Sequence, residues 1–383
     1  MKKILIIHNK YRNTGGEDIA VENEINFLKK YFIVDVLYFE NKIDNPISQL
    51  FYFVINKNLK SNKILKKRLN QFNPDVIYIH NTWFKASVSV LEESIRSSAQ
   101  VVLKIHNFRY FCTKTLTSQK HFNEKKFCDA CGSSKEEIGF INKYFKESLI
   151  KSLLVIFYGK KYFTLLKDGN LKIAVLTKFH KNFMKNLGIP ETKIEVFPNF
   201  IEHHNIISKN QSQNYLIYAG RISKEKGIES LINSFNEVND KNYVLKIIGD
   251  GPIKENLVKL YSSKNILFYD YMENSKVIEE INNSVGIVTA TNLFEGQPTL
   301  LCEASSMGVP SIFPNTGGIS EFFPANYLLS FEQFNYKDLS EKIRKLIHDI
   351  DSDKVGQENK NYINKYLNPE ELIEKFNIMA GIE

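Results

Sequence analysis

Two glutamates stand eight positions apart in the segment Glu295-Gly296-Gln297-Pro298-Thr299-Leu300-Leu301-Cys302-Glu303. The apolar residues 284–290 precede it and are typical of a buried parallel strand. A strand, a glycine-containing loop and a helix start, in that order, present backbone N–H groups to an anion. Carboxylates at both ends of the loop offer acceptor oxygens to neighbouring hydroxyls. The segment therefore predicts a site for a ligand that carries both phosphate and hydroxyl groups.

A basic turn follows another apolar run, Tyr215–Ala219, and contains Gly220, Arg221 and Lys226. Both cations would lie at the carboxyl end of a strand, where α/β proteins bind their ligands. Because arginine can hold two oxygens of one anion, the two cations suit a diphosphate. The alternative is an exposed basic loop, which the presence of the glutamate segment in the same chain disfavours.

Apolar runs and helical patterns alternate along the chain, as they do in α/β proteins. The first series of predicted strands is Ile4–Ile7, Val34–Tyr38, Val76–His80, Val101–Ile105 and Ile173–Leu176. The second series is Tyr215–Ala219, Val244–Ile248, Ile266–Tyr269, Ile287–Thr289 and Ser311–Phe313. The polar stretch His203–Asn214 separates the two series. This order predicts an α/β protein with two doubly wound, Rossmann-like domains that face each other across a cleft.

The composition excludes several protein classes. A chain of 383 residues with 43% hydrophobic and 25% charged residues is typical of a globular protein of two domains. No apolar run approaches the roughly 20 residues of a membrane span. The apolar part of the N-terminus, Ile4–Ile7, is too short for a signal peptide and favours a first strand. We therefore expect a cytoplasmic protein.

Charge is distributed unevenly between the two halves. Residues 1–200 carry 33 Lys and Arg against 18 Asp and Glu, a balance of +15, whereas residues 201–383 carry 18 against 25, a balance of −7. The basic half predicts contact with an anionic partner. No zinc-finger spacing, basic zipper or RNA-binding aromatic motif accompanies the charge, so nucleic acid is not expected. Lysines among the apolar residues 136–166 suggest a helix on the inner face of the cell membrane, the alternative being a helix packed on its own domain.

These motifs together resemble those of the retaining glycosyltransferases of the family 4 type, which have the GT-B fold. Glu295 and Glu303 match the Glu-x7-Glu motif of that family. Arg221 and Lys226 resemble its Gly-Arg-x5-Lys-Gly segment, with one residue fewer between them. Other similarities follow in family order: the loop Gly15-Gly16, the turn Val196–Asn199, the loop Gly249–Pro252, and Pro310 with Gly317-Gly318 and Glu321.

The resemblance implies a reaction and a set of domains. The reaction is the metal-independent transfer of a sugar, such as a hexose, from a nucleoside-diphosphate sugar to a glycan or lipid-linked saccharide, with retention of anomeric configuration. Its setting would be the biosynthesis of a bacterial surface polysaccharide such as capsule or lipopolysaccharide. We expect an acceptor-binding domain at residues 1–202, a nucleotide-sugar domain at 203–365, and a C-terminal helix at 366–383 that packs on the first domain.

The resemblance also implies roles for single residues. Arg221 and Lys226 would stabilise the charge on the departing diphosphate. Glu295 would face the donor sugar and Glu303 the ribose hydroxyls, and His106 resembles the active-site histidine of the family. Further donor-binding residues are expected at Gly16, Asn199, Gly220, Gly249, Gly251, Gly296, Gln297, Pro298, Thr299 and Leu300. The acceptor side is expected at Gly15, Gly16 and Arg109.

Two clusters raise the question of metal binding. Cys112, Cys128 and Cys131 include the Cys-x2-Cys spacing of a structural zinc site, for which His106 or His121 would supply a fourth ligand. The alternative is a set of reduced cysteines in an acceptor loop. The stretch from Asp349 to Asp353 contains an Asp-x-Asp spacing, but it ends a helical pattern and does not follow a strand, so a solvated run is expected there.

Three other functions stay open. An inverting or epimerising GT-B enzyme would need a general base near the acceptor, for which Glu17 and Asp18 are the candidates. A non-catalytic sugar-nucleotide or glycan-binding protein would not need all four of the charged residues of the motifs. A Rossmann oxidoreductase is disfavoured because no Gly-x-Gly-x-x-Gly follows the first strand.

Overall fold

The computed structural model describes residues 1–10, 15–41, 51–52, 54–83, 85–108, 148–201 and 213–382. The chain forms two compact units, Met1–Phe200 with Pro369–Glu383, and Ile201–Asn368. Each unit contains one parallel six-stranded sheet with helices packed on it. The prediction of two Rossmann-like α/β domains is therefore confirmed.

The sheet of the first unit has the order β2-β1-β3-β4-β5-β6. Its strands are Lys3–Lys10, Ile33–Glu40, Val76–Asn81, Gln100–Ile105, Lys172–Val175 and Ile194–Val196. The central strands are almost entirely buried, as expected when helices cover both faces of a parallel sheet. The chain moves from β1 to β2 in one direction and through β3 to β6 in the other, so the order reverses at β1. Ligands of such sheets bind at the carboxyl ends of the strands beside this reversal.

Six helices of the first unit matter below: α1 Gly16–Leu28, α2 Leu59–Phe72, α3 Val88–Ile95, α4 Leu149–Asp168, α5 Lys178–Asn186 and α12 Pro369–Ala380. The connections that contain α2, α3 and α4 all cross the sheet in the same direction. Since such crossovers are right-handed, these three helices lie on one face. Helix α3 contacts both α2 and α4.

A buried ion pair crosses the core of the first unit. The Lys104 ammonium lies 2.7 Å from the Glu24 carboxylate, and both side chains are fully buried. The same ammonium donates to the Pro198 carbonyl at 3.2 Å, and the Tyr78 hydroxyl donates to Glu24 at 2.6 Å. The pair therefore connects β4, α1, β3 and the chain that leaves β6. Removing one partner of such a pair typically costs about 3 to 5 kcal/mol.

The sheet of the second unit has the order β12-β11-β10-β7-β8-β9. Its strands are Tyr215–Ala219, Val244–Ile248, Ile266–Tyr269, Gly286–Val288, Ser311–Asn315 and Ser330–Glu332. Its helices are α6 Ile228–Val238, α7 Lys254–Tyr261, α8 Asn274–Asn282, α9 Thr299–Ser306, α10 Tyr336–Arg344 and α11 Ser352–Tyr366. Here the strand order reverses between β7 and β10. The basic turn follows β7 and the glutamate segment follows β10, so both motifs start at the reversal.

Within the described ranges, no helix is both long and apolar enough to cross a bilayer.

Candidate active site

The basic turn and the glutamate segment meet at the carboxyl ends of β7 and β10. The Lys226 ammonium lies 2.5 Å from one oxygen of the Glu295 carboxylate. The Thr291 hydroxyl donates to the same oxygen at 2.9 Å. Both charged side chains are about 30% exposed, at 31% and 29%, so the pair faces open space. The structure thus brings together two residues that lie 69 positions apart in the sequence.

Backbone contacts fix the position of Lys226. It ends a short 3-10 turn, Lys224–Lys226, and Gly227 follows in the left-handed region with φ of 67°. A Cβ atom at Gly227 would lie 2.0 Å from the Ala290 carbonyl oxygen. The Asn292 backbone N–H also donates to the Glu225 carbonyl at 2.9 Å. The two loops therefore touch through their main chains, which is possible only without a side chain at position 227.

A second glycine contact fixes Glu295. Gly317 has φ of 60°, and a Cβ atom there would lie 2.2 Å from the Glu295 carbonyl oxygen. The Gly318 N–H donates to that oxygen at 2.8 Å. The glycine pair that resembled the end of the family signature thus supports the main chain of the glutamate.

The loops after β7 and β8 also touch through glycines. A Cβ atom at Gly249 would lie 2.0 Å from the Gly220 carbonyl oxygen, and one at Gly251 would lie 2.1 Å from that of Ile222. The Tyr218 hydroxyl donates to the Arg221 carbonyl at 2.9 Å. Burial and the negative charge of Glu295 raise the pKa of Tyr218, so it stays a neutral donor. The side chain of Arg221 is exposed.

Helix α9 begins at Thr299, directly after Pro298. Within the described residues, no side chain caps its N-terminus. The Thr299 N–H donates to the Gln297 carbonyl at 3.0 Å, and the following N–H groups of the first turn offer donors to an anion. Gly296, Thr299 and Leu300 are partly exposed, whereas Gln297 is 9% exposed. Glu303 is only 2% exposed, because it lies in the second turn of the helix on the side that faces the interior. The contact of Glu303 with a ribose stays a prediction.

The thiol of Cys302 lies beside these residues. It is fully buried, and burial raises its pKa, so we expect it to be unreactive. The Gln297 amide nitrogen lies 4.0 Å from its sulfur.

In the first unit, the glycine loop is tied to β1. The Gly15 N–H donates to one oxygen of Asp18 at 2.9 Å, and the other oxygen lies 2.8 Å from His8 Nε2. Gly15 caps α1, and Gly16 is its first residue. Glu17 accepts a hydrogen bond from the Asn107 amide at 3.2 Å. The start of α1 and the end of β4 are therefore neighbours at the carboxyl edge of this sheet.

His106 is paired with a second histidine that the sequence motifs did not include. His106 Nε2 lies 3.0 Å from His80 Nδ1, and the two rings are stacked with centroids 5.3 Å apart. Burial lowers the pKa of both, helped by the charge of Lys104. Both rings are therefore neutral at pH 7. His80 lies near the end of β3, and His106 directly follows β4, the neighbouring strand. These matching positions at the ends of two successive strands could have indicated the pair from the sequence.

The two rings of this pair share one hydrogen bond. Because both rings are neutral, one nitrogen donates and the other accepts across the 3.0 Å contact between His80 Nδ1 and His106 Nε2. His80 Nε2 is buried and has no hydrogen-bond partner among the described residues.

A pocket opens beside the histidine pair in the first unit. It is lined by His80, Asn81, Thr82, Trp83, Ile105, His106, Asn107, Tyr158 and Tyr162. Trp83 packs edge-to-face with Tyr158 of α4, with ring centroids 4.7 Å apart. Aromatic faces and amide groups are suited to the apolar and hydroxyl faces of a sugar ring. The sequence motifs missed these aromatic residues because they lie on separate elements.

The remaining candidates lie elsewhere. Asn199 is 3% exposed just beyond β6. Arg109 and the cysteines Cys112, Cys128 and Cys131 lie outside the described residues, and so does His121. Asp351 caps helix α11, where its carboxylate accepts from the N–H groups of Asp353 and Lys354 at 3.1 and 3.0 Å. The Asp-x-Asp spacing thus includes a helix cap.

Comparison with known proteins places this site in context. Residues 199–365 match the family model described as Glycosyl transferases group 1. The chain is 30% identical over 189 residues to the capsular polysaccharide biosynthesis glycosyltransferase CapM of Staphylococcus aureus, covering 46% of this chain and 47% of CapM. It is 27% identical over 193 residues to the amylovoran biosynthesis glycosyltransferase AmsD of Erwinia amylovora, covering 45% and 54%. The chain thus spans about half the length of the curated relatives it matches.

The fold is also found among solved structures. The HepE protein of Anabaena, crystallised with UDP and glucose, aligns with a TM-score of 0.68 over 100% of both chains at 12% identity. At this identity the likeness concerns the fold alone. That fold is GT-B, with two Rossmann-like domains.

Proposed function

We propose that this chain, in which residues 199–365 form a Glycosyl transferases group 1 domain, moves a sugar from a nucleoside diphosphate to a glycan or lipid-linked saccharide. The observation that carries the proposal is the Lys226–Glu295 pair at the strand reversal of that domain. The relatives CapM and AmsD bear names from capsular polysaccharide and amylovoran biosynthesis. We therefore propose bacterial surface polysaccharide biosynthesis as the setting, at the inner face of the cell membrane.

The donor site is built for a diphosphate. The Lys226 ammonium has three N–H donors, and its bond to Glu295 leaves others for phosphate oxygens. Arg221, which precedes Lys226 in the loop after β7, is exposed. The start of α9 adds backbone N–H donors. These groups stabilise the charge that develops on the leaving nucleoside diphosphate. Because they supply positive charge at that position, we propose that transfer needs no divalent metal.

Glu295 and His106 are proposed to act on the sugar. The Glu295 carboxylate is fixed by Thr291 and Lys226 and offers acceptor oxygens to sugar hydroxyls. His106 is proposed to form a hydrogen bond with the sugar or the diphosphate of the donor. Gly16, Asn199, Gly220, Gly249, Gly251 and the segment Gly296–Leu300 with Glu303 complete the proposed donor contacts. HepE was crystallised with UDP and glucose, so UDP and a hexose are the first donor to try here.

Retention of configuration is the proposed stereochemical course. In it, a leaving phosphate oxygen takes the proton of the acceptor hydroxyl on the same face of the sugar. An inverting enzyme needs a general base beside the acceptor hydroxyl, and Glu17 and Asp18 are the candidate carboxylates. Asp18 is poorly suited to that role, because it is 6% exposed and binds His8 and the Gly15 N–H. Glu17 accepts from Asn107 and is the remaining carboxylate of the two.

Nucleotide binding tests the donor site. A thermal-shift panel of UDP, GDP and ADP should show one nucleotide that stabilises the protein, by about 2.7 kcal/mol at a hundred times its Kd. Lys226→Ala should abolish that shift. Lys224→Ala removes an exposed lysine from the same turn and should leave the shift intact. A chelator should not change it.

Two results would count against the assignment. If Lys226→Ala showed the same thermal shift as the unaltered protein, the diphosphate would not bind at Lys226. A shift that disappears with a chelator and returns with magnesium would contradict the metal-free site.

A further inference from the structure

A segment of the first unit combines strong positive charge with apolar residues. Residues 51–72 contain five lysines and one arginine and not a single Asp or Glu. Residues 51, 52 and 54 are helical, and α2 follows from Leu59 to Phe72. Among the described residues, Lys66 forms an ion pair with Glu93 of α3 at 3.0 Å. The lysines Lys57, Lys60, Lys63 and Lys67 are all exposed.

Large apolar side chains are exposed among these lysines. Their exposed fractions are 56% for Phe51, 52% for Val54, 38% for Ile55, 56% for Leu59 and 49% for Ile64. Single exposed apolar residues are ordinary, but a cluster marks a surface that contacts another body.

Helix α4 lies on the same face of the sheet and also exposes apolar side chains beside lysines. Its exposed apolar side chains are Leu149, Ile150 and Phe157, and its exposed lysines include Lys151, Lys160 and Lys167. Helices α2 and α4 both contact α3, and all three lie on one face of the sheet. We call residues 51–52 and 54–67 together with the exposed side of α4 the basic apolar face. It holds eight of the fifteen large hydrophobic side chains exposed in the described part of the chain, so the clustering is not a general property of the surface.

We propose that the basic apolar face docks on the surface of an anionic lipid bilayer. Lysines beside aliphatic side chains suit this partner, because the long amine side chains reach the headgroup phosphates while Leu59, Ile64 and Phe157 enter the interface. Residues 1–200 carry the excess of +15 charges and residues 201–383 do not, so attraction to the bilayer orients the first unit towards it.

Two other partners fit this face less well. A single-stranded nucleic acid would be expected to stack on aromatic side chains, whereas four of the five exposed apolar residues between 51 and 64 are aliphatic. A second copy of the chain would bring the same positive charges against each other. Vesicle binding requires no sugar donor, so the proposal stands whether or not the transferase assignment holds.

Co-sedimentation with vesicles tests the proposal on the full chain. The protein should bind vesicles of phosphatidylglycerol and phosphatidylcholine at low salt and should not bind phosphatidylcholine alone. Raising the ionic strength from 0.05 to 0.5 M should release it, because exposed charges are screened over a few ångströms at high salt.

Variants locate the contact on this face. The triple change Lys60→Gln, Lys63→Gln and Lys67→Gln should weaken partitioning about 100-fold, since each lysine near the surface contributes about fivefold. Leu59→Ser with Ile64→Ser should weaken it by at least about 10-fold at unchanged charge. The control Lys259→Gln, Lys337→Gln and Lys354→Gln removes three exposed lysines from the second unit and should leave binding unchanged. Emission of Trp83, the single tryptophan of the chain, verifies that each variant is folded.

Several outcomes would overturn the proposal. They are equal binding to both kinds of vesicle, an equal loss in the control triple variant, and no binding by the unaltered protein. Binding to an oligonucleotide through the same lysines, without vesicle binding, would assign the face to nucleic acid. A dimer that the Leu59→Ser and Ile64→Ser variant dissociates would assign it to self-association.

Discussion

At the scale of single residues, each unit holds its candidate site residues in place through other side chains. One carboxylate oxygen of Glu295 accepts hydrogen bonds from both Lys226 and Thr291. These bonds limit the motion of the two charged side chains before any ligand binds. His80 lies 3.0 Å from His106 Nε2 and fixes the orientation of that ring. Such fixed donors stabilise developing charge better than mobile ones, because little reorganisation is needed during the reaction.

Buried neutral histidines predict how the first unit responds to acid. Burial lowers the pKa of His180 to about 3 and lowers those of His80 and His106 well below the usual value. Below the unfolded pKa of about 6.5, the unfolded chain binds protons that the folded chain does not. The free energy of unfolding of the first unit should therefore fall as the pH drops from 6.5 to 5.

The variant His180→Leu isolates one of these groups. In urea unfolding followed by Trp83 emission, the slope of stability against pH should decrease by about 1.4 kcal/mol per pH unit. Phe108→Leu is the control, because it alters the ring packed 4.4 Å from His180 without removing a titrating group. It should shift the whole curve and keep its slope. Parallel curves for His180→Leu and the unaltered protein would contradict the prediction.

At the scale of elements, glycine contacts between loops determine where the charges lie. The loops after β7, β8 and β10 approach each other at Gly227 and Gly249, and the loop after β11 approaches Glu295 at Gly317. Each contact joins main chain to main chain. The site is therefore a property of four strand ends together and of no single motif.

The change Gly227→Ala tests that view. It forces an L side chain into the left-handed region, at about 1 to 2 kcal/mol, and places Cβ 2.0 Å from the Ala290 carbonyl oxygen. We expect stability to fall by more than the strain alone and nucleotide binding to be lost, because Lys226 must move with the turn.

Gly308→Ala is the matched control for Gly227→Ala. Gly308 has φ of 77° in the same unit, but the nearest atoms to an added Cβ lie 3.8 Å away. This variant should lose about 1 to 2 kcal/mol and still bind nucleotide. If Gly227→Ala also binds as the unaltered protein does, the loop contact does not set the position of Lys226.

The strands were easier to predict from sequence than the contacts between loops. Three predicted strands of the second unit, Tyr215–Ala219, Val244–Ile248 and Ile266–Tyr269, have the observed bounds, because continuous apolar runs between polar turns mark buried strands. The edge strands Ile194–Val196 and Ser330–Glu332 were missed, since each is three residues long and contains a glutamate, which leaves no continuous apolar run. The sequence also indicated the segments that carry Lys226 and Glu295. Their direct bond was not predictable, because it depends on the side-to-side order of β7 and β10.

At the scale of the whole molecule, the last helix belongs to the first unit. Helix α12 places Phe376, which is fully buried, against Phe32, Tyr78 and Phe197, with ring centroids 5.7, 5.3 and 5.9 Å away. These three partners come from widely separated parts of the first unit. The core of that unit is therefore closed by a residue from the other end of the chain.

Phe376→Ala should destabilise the first unit by about 3 to 5 kcal/mol, because it leaves a cavity in a packed aromatic cluster. Unfolding followed by Trp83 emission should show the loss, whereas the thermal shift with nucleotide should persist in the second unit. Ile378→Ala changes a residue of the same helix that is 73% exposed and should have little effect. Equal stabilities of the two variants would show that α12 contributes little to that core.

The place of Phe376 in the chain also orders events during synthesis. Phe32, Tyr78 and Phe197 leave the ribosome 179 residues or more before Phe376. At about 5 to 20 residues per second, that interval lasts roughly 10 to 35 seconds. During this interval the first unit lacks Phe376, so part of its aromatic core stays exposed, while the whole second unit is synthesised and can fold. The half of the protein that is synthesised first is thus the half that is completed last.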